Sequence, residues 1–165
     1  RKPVGTLILD NLLPGRNLRM LATGTGLAPF MSLMRDPEAY AKYERVIIAH
    51  TVREVAELAY RRYITEELPS HELLGEDVAA KLIYLPAVTR EAFPVQGRIT
   101  TRLESGAAER EAGVAPLDPA HDRVMICGSE AMNADCKALL EARGFIEGTN
   151  NAPGSFVVEK AFVTK

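Results

Sequence analysis

Two glycines one residue apart, Gly24 and Gly26, close the apolar run "NLRMLAT" and stand ahead of Leu27-Ala28-Pro29. Glycines with Thr25 between them let backbone N–H groups approach phosphate oxygens, and a helix starting at Pro29 would add a favourable dipole for an anion. A pyrophosphate is a suitable guest for such a turn. Any strand-to-helix connection can equally use glycine for its geometry alone, and the usual dinucleotide fingerprint is broken by Pro29 at its third glycine position. The run "RVIIAHT" ends in His50-Thr51 with Arg53 close behind, where a NAD site would place an acid for the ribose 2'-hydroxyl. That disfavours NAD and leaves room for a phosphorylated ribose.

Thr89-Arg90 follows a third apolar run, and Gly97-Arg98 comes after the short loop "EAFPVQG". Guanidinium forks pair with phosphate oxygens bidentately, so Arg90 and Arg98 could clamp one phosphate while the Thr89 hydroxyl adds a neutral donor. Two solvated surface charges are the plain alternative. Cys127-Gly128 ends a fourth run. Its thiol is a candidate nucleophile, redox group or spacer against a planar ring, or simply a small buried apolar side chain, since no activating base is adjacent in sequence. His50, His71 and His121 share no ligand spacing with one another or with the cysteines, so no metal site is expected.

These candidates all stand where apolar runs stop. Strands are predicted over 17–23, 45–51, 81–89 and 123–129, with "SFVVEKAFV" as a last strand. Helices are predicted after the glycine turn, over "VREVAELAYRRYITEEL", over "RITTRLESG", and over "EAMNADCKALLEARG" with Gly144 just past its end. Alternation of this kind predicts a three-layer α/β/α fold around a central parallel sheet of about five strands, with ligands at the carboxyl ends of the strands.

The chain of 165 residues, 47% hydrophobic, suits one domain with a sizeable core. A formal charge of -2 gives no general attraction to nucleic acid or to an anionic membrane, so any anion site must be local. No run is long enough for a membrane span, and two cysteines, Cys127 and Cys136, are too few for a disulfide framework. The chain therefore reads as a protein of a reducing compartment, the cytoplasm. It opens on "RKPVGTLILD" with no signal-peptide pattern and reads as the middle of a longer polypeptide, which predicts a further domain upstream. Residues 1–16 are expected to connect that domain to one spanning 17–165.

Taken in order, GTGLAPF, HTVRE, VTRE with GRIT, MICGSEAM and VVEKAFV resemble the NADP(H)-binding half of bacterial ferredoxin-NADP reductases. The likeness covers nearly the whole chain. It implies an α/β domain that binds NADP(H), beside a β-barrel that binds FAD, with electrons exchanged with ferredoxin or flavodoxin. By the same resemblance Gly24, Thr25, Gly26 and Pro29 serve the pyrophosphate and nicotinamide ribose. Thr89, Arg90 and Arg98 serve the 2'-phosphate, with Arg53 a further phosphate contact. Cys127 and Gly128 fall near the reacting nicotinamide carbon, and Glu159 is the acid that shapes the active site. Where plant-type relatives end in a tyrosine over the flavin, this chain has Ala161 and runs on through Phe162 to Lys165, like the bacterial variant whose longer terminus packs on the FAD.

The barrel's flavin signature, Arg-x-Tyr-Ser/Thr, is not found here, since "YRRYIT" places Ile64 at the hydroxyl position. The resemblance thus implies a domain that binds nucleotide but is inactive without its flavin partner, with an exposed apolar tail at 161–165 able to promote dimerisation. Three other readings share parts of the pattern: the NADP-binding half of an NAD(P)H-flavin or oxygenase reductase, a non-catalytic nucleotide-binding module, and a methyltransferase-like α/β domain.

Overall fold

The computed structural model describes residues 5–160. Five strands, β1 (Asn17–Thr23), β2 (Arg45–Val52), β3 (Leu82–Val88), β4 (Asp122–Gly128) and β5 (Phe156–Lys160), form one sheet in the order β3-β2-β1-β4-β5. Every neighbouring pair is parallel, as expected from the alternation of elements. The described strands stop at Lys160, so the rest of the expected last strand, with Ala161 and Phe162, lies outside the described residues.

Parallel strands must be covered on both sides, and their sequences are accordingly apolar over most of their length; every residue of β4 is buried, its first two, Asp122 and Arg123, included. Met20, Ile48, Met125 and Val157 point to one face and pack with Phe30 and Met34 of α1 (Ala28–Met34) and Tyr40 of α2 (Pro37–Lys42). Val78 of α3 (Gly75–Lys81) closes the same layer. The opposite face carries Leu21, Ile47, Ile126 and Phe156 against Ile99 and Leu103 of α4 (Ile99–Glu104). Ala108 of α5 (Ala107–Ala112) and Cys136 and Leu140 of α6 (Glu130–Ala142) complete it. This is the three-layer arrangement with a five-stranded parallel sheet.

One expected helix is only partly there, since residues 61–70 are helical but as a mixture of α, π and 3-10 turns. The stretch after β2 forms a 3-10 turn at Val55–Glu57, then a π turn at Tyr63–Glu67 and a second 3-10 turn at Leu68–Ser70. Val52 and Leu58 pack with Val88 in a small cluster at the strand ends, and the Glu91 carboxylate accepts the Val55 N–H at 2.7 Å. Both contacts hold the start of the segment against the ends of β2 and β3. Ile64 and Leu68 are buried as their spacing predicts, but Ala59 is exposed. Three helices the sequence reading did not single out, α2, α3 and α5, are only six or seven residues long, too short for a full apolar period.

Residues 5–16 lie against the domain. Leu9 and Leu12 are buried, Asn11 donates to the Asn150 side chain at 2.7 Å, and Leu13 N–H donates to the Gly154 carbonyl at 2.9 Å. At the amino ends of the strands, buried Arg19 donates to Glu109 at 3.0 Å and to Asp122 at 3.2 Å, and also to the Ala115 carbonyl at 3.0 Å. Buried Arg123 donates to the carbonyls of Leu13 (3.0 Å) and Pro14 (2.6 Å), fastening the N-terminal segment.

Candidate functional site

Strand order reverses between β1 and β4, so the chain leaves β1 toward one face and β4 toward the other. Crevices of open α/β sheets form at such a point. A cleft of about 800 Å³ opens at these carboxyl ends. It brings together Gly24 and Thr25 from the turn after β1, Arg53 after β2, Thr89 and Arg90 after β3, and Arg98 at the start of α4. Six residues chosen from separate stretches of sequence thus line one space.

The local geometry explains each placement. Gly24 has φ +51°, in the left-handed region, and nothing would meet a Cβ there within 4 Å, so its glycine serves backbone conformation beside an open space. Gly26 has a different task. A Cβ on Gly26 would run into the Cys127 carbonyl, so this glycine lets the turn lie directly on the end of β4. Gly128 is likewise crowded, by the Thr23 hydroxyl and by Met132. The turn itself is a 3-10 segment, Gly24–Leu27, with Pro29 in the first turn of α1 behind it.

On the opposite wall, Thr89 N–H donates to the Val52 carbonyl and Arg90 N–H to the Arg53 carbonyl, each at 3.0 Å. These bonds extend the β2–β3 pairing past the formal strand ends and hold the two arginine-bearing loops side by side. The loop returns through a bridge between Val88 and Gln96, and Gly97 at φ +118° turns it into α4. Arg53, Arg90 and Arg98 are exposed and make no side-chain hydrogen bond or ion pair among the described residues. Glu57 and Asp135 lie on the same rim, and the N-terminus of α6, capped by Ser129, closes the far side.

A second group stands on the other face. In register across the sheet run Pro86, His50, Ala22, Cys127 and Glu159. Cys127 is fully buried, and its thiol is pushed up to about 11, by burial first and by the Glu159 charge second. It is a neutral thiol at physiological pH, packed in the core, and no base activates it. Cys136 is buried too and raised to about 12 by burial first and by Asp135 second; the two are free cysteines. Glu159 is half-buried. Its Oε1 accepts the Thr6 N–H at 3.0 Å, and it lines a smaller cavity of about 470 Å³ together with Pro29. The structure thus separates the expected site residues into an arginine-rich cleft and a Cys127–Glu159 edge, with Gly26 between them.

The family-model match spans residues 20–138 and is described as the oxidoreductase NAD-binding domain. The chain belongs to that family. The chain is 58% identical over 162 residues to a ferredoxin--NADP reductase A of Sorangium cellulosum, covering 98% of this chain and 58% of that protein. It is 55% identical over 162 residues to a flavodoxin/ferredoxin--NADP reductase of Rhodobacter capsulatus, covering 98% and 60%. Among solved structures, a ferredoxin NADP+ reductase from Neisseria gonorrhoeae with bound FAD and NADP superposes with a TM-score of 0.83 at 29% identity, over 96% of this chain and 61% of that one. The chain therefore spans about three fifths of the length of these relatives. Among the described residues no helix is long and apolar enough to cross a membrane, and no group of three His, Cys, Asp or Glu could hold a metal ion.

The sequence marks His50 as a departure from the acid of NAD sites and as a histidine without metal-ligand spacing, and no motif ties it to the glycine turn. In the structure its Nε2 lies 2.9 Å from the Gly24 carbonyl. The signal was available in the pairing of β1 with β2, which no single motif reports.

Proposed function

We propose that this domain binds NADP(H) in the cleft and presents the nicotinamide to a flavin held by a partner domain, as half of a ferredoxin- or flavodoxin-NADP reductase. The observation that carries the reading is the set of exposed, unpaired guanidiniums of Arg53, Arg90 and Arg98 on the cleft that also holds Gly24. Unpaired cations gathered on one rim repel one another, and an anion relieves that repulsion. A volume of about 800 Å³ suits a nucleotide.

In this reading Arg90 and Arg98 grip the 2'-phosphate with Thr89, and Arg53 supports them. The turn at Gly24–Gly26 receives the pyrophosphate, and Pro29 borders the nicotinamide ribose. The carboxyl end of β4, with Gly128 and with Cys127 buried behind it, and Glu159 of β5 stand at the reacting end. With its thiol neutral and buried, Cys127 acts as a wall rather than a nucleophile, and Glu159 is held in place by the Thr6 N–H. FAD, when bound, supplies the acceptor or donor for the hydride of the nicotinamide. The flavin signature is missing from these residues, so the flavin is assigned to the partner domain and the domain alone binds nucleotide without turnover. Ferredoxin or flavodoxin is the electron partner proposed for the whole protein, and two free thiols fit a reducing cytoplasm.

The test is calorimetric titration with 2'-phospho-AMP and with 5'-AMP at one fixed salt concentration. The 2'-phosphate should be clearly preferred. Charge-assisted bonds are worth about 1.5–3 kcal/mol, so Arg90→Ala or Arg98→Ala should weaken 2'-phospho-AMP roughly ten- to a hundredfold and leave 5'-AMP nearly unchanged. Equal binding of the two nucleotides by the parent protein would sink the reading.

A further inference from the structure

His50 sits one strand across from the glycine turn. The β1–β2 register pairs it with Ala22, and its ring reaches two residues further along the neighbouring chain to the carbonyl of Gly24. A carbonyl can only accept, so Nε2 carries the proton and donates. The Nδ1 atom of the same ring then holds a lone pair, and it is buried without a hydrogen-bond partner. His50 is only 2% exposed. An imidazole placed in the core with one nitrogen left unsatisfied is costly, so its other bond must matter to the arrangement around it.

That bond fixes a peptide plane. The Gly24–Thr25 peptide is trans, as are all described peptides, so the Gly24 carbonyl and the Thr25 N–H point in opposite directions. With the carbonyl drawn onto the His50 ring, the amide edge of the plane is turned away from that ring. Gly24 and Thr25 both line the cleft. Gly24 at φ +51° has no side chain to hold this orientation, and nothing lies within 4 Å of where one would be. The 3-10 segment that begins at Gly24 holds the turn from within, and the His50 bond is a second hold on its first carbonyl, made from the neighbouring strand.

We propose that His50 is a positioning residue for anion binding: its Nε2–H holds the Gly24 carbonyl, and thereby sets the turn that receives the pyrophosphate of the dinucleotide. The inference rests on the nucleotide reading of the cleft. It assigns to the strand end of β2 a role in the pyrophosphate half of the site, distinct from the arginines that face the 2'-phosphate.

The experiment compares NADP+, which carries a pyrophosphate, with adenosine 2'-monophosphate, which does not, by calorimetry on the full-length protein. His50→Leu removes the donor at similar volume, and His50→Gln restores an N–H close to the position of Nε2. Loss of one hydrogen bond should weaken NADP+ by roughly three- to tenfold in His50→Leu, leave adenosine 2'-monophosphate unchanged, and be largely reversed in His50→Gln. The inference is overturned if His50→Leu leaves NADP+ binding intact, if it weakens both ligands alike, or if His50→Gln, folded by circular dichroism, binds NADP+ no better than His50→Leu. If instead the parent protein binds NADP+ no more tightly than adenosine 2'-monophosphate, the pyrophosphate reading itself fails and takes the inference with it.

Discussion

The two ends of the sheet use arginine in opposite ways. At the amino end, Arg19 and Arg123 are buried and their guanidiniums are bonded to Glu109, Asp122 and a set of backbone carbonyls. At the carboxyl end, Arg53, Arg90 and Arg98 are exposed and without an ion pair among the described residues. A buried guanidinium is tolerated only with its acceptors present, so the first group belongs to the fold. The second group has no side-chain bond to the fold among the described residues, and it shares its cleft with Glu57 and Asp135. Position on the strand, rather than residue type, separates the buried, bonded guanidiniums from the exposed ones.

The sharpest way to break this contrast is to remove one arginine from each end. Arg19→Leu leaves the carboxylates of Glu109 and Asp122 buried without their cation. Breaking such an arrangement costs about 3–5 kcal/mol, which urea unfolding should show directly. Arg90→Ala should leave stability within about 0.5 kcal/mol of the parent, because nothing in the fold is bonded to its side chain. A large loss of stability in Arg90→Ala would mean that the carboxyl-end arginines are structural after all.

A smaller effect sharpens the comparison within the carboxyl end. Gly26→Ala places a methyl against the Cys127 carbonyl, whose backbone cannot move without disturbing β4. Overpacking of that kind costs about 1–3 kcal/mol. Gly24→Ala meets no atom within 4 Å and pays only for a left-handed φ, about 1–2 kcal/mol. Thermal unfolding should therefore rank Gly26→Ala at or below Gly24→Ala. Nucleotide titration should show both weakened, Gly24→Ala through the shape of the turn and Gly26→Ala through its separation from β4.

Much of this was legible in the sequence. Apolar runs ending in glycine or in Thr-Arg marked the strands, because a parallel sheet buried on both faces needs mostly hydrophobic strands, with polar residues such as Arg19 inside them only where they are bonded. Arg90 and Arg98 both line one cleft because the loop between them is short. The segment after β2 was not legible. Val55, Leu58, Ile64 and Leu68 fit a helical period, but Leu58 packs on Val88 and the Glu91 carboxylate holds Val55, contacts contributed by the next strand and its loop. The role of His50 was hidden for the same reason: its partner Gly24 is 26 positions away and becomes a neighbour only when β1 and β2 pair. Cys127 invited a chemical reading from its type alone, and only its burial shows a neutral thiol.

The smallest predicted effect concerns acid. Burial is the largest influence on His50 and lowers its pKa; the bond to the Gly24 carbonyl and the Glu57 charge oppose it but do not prevail. In the unfolded chain the ring titrates near 6.5, so as pH falls through about that value the unfolded state takes up a proton that the folded state refuses. Stability contributed at this position is thus present above the unfolded pKa and is lost as pH falls, until the folded ring is protonated in turn. A His50→Gln variant has no such proton to bind, and its unfolding free energy between pH 7 and pH 5 should fall less steeply than that of the parent. Identical slopes would show that the ring is not excluded from protonation in the fold, and that the Gly24 turn is held against acid by something other than a neutral imidazole.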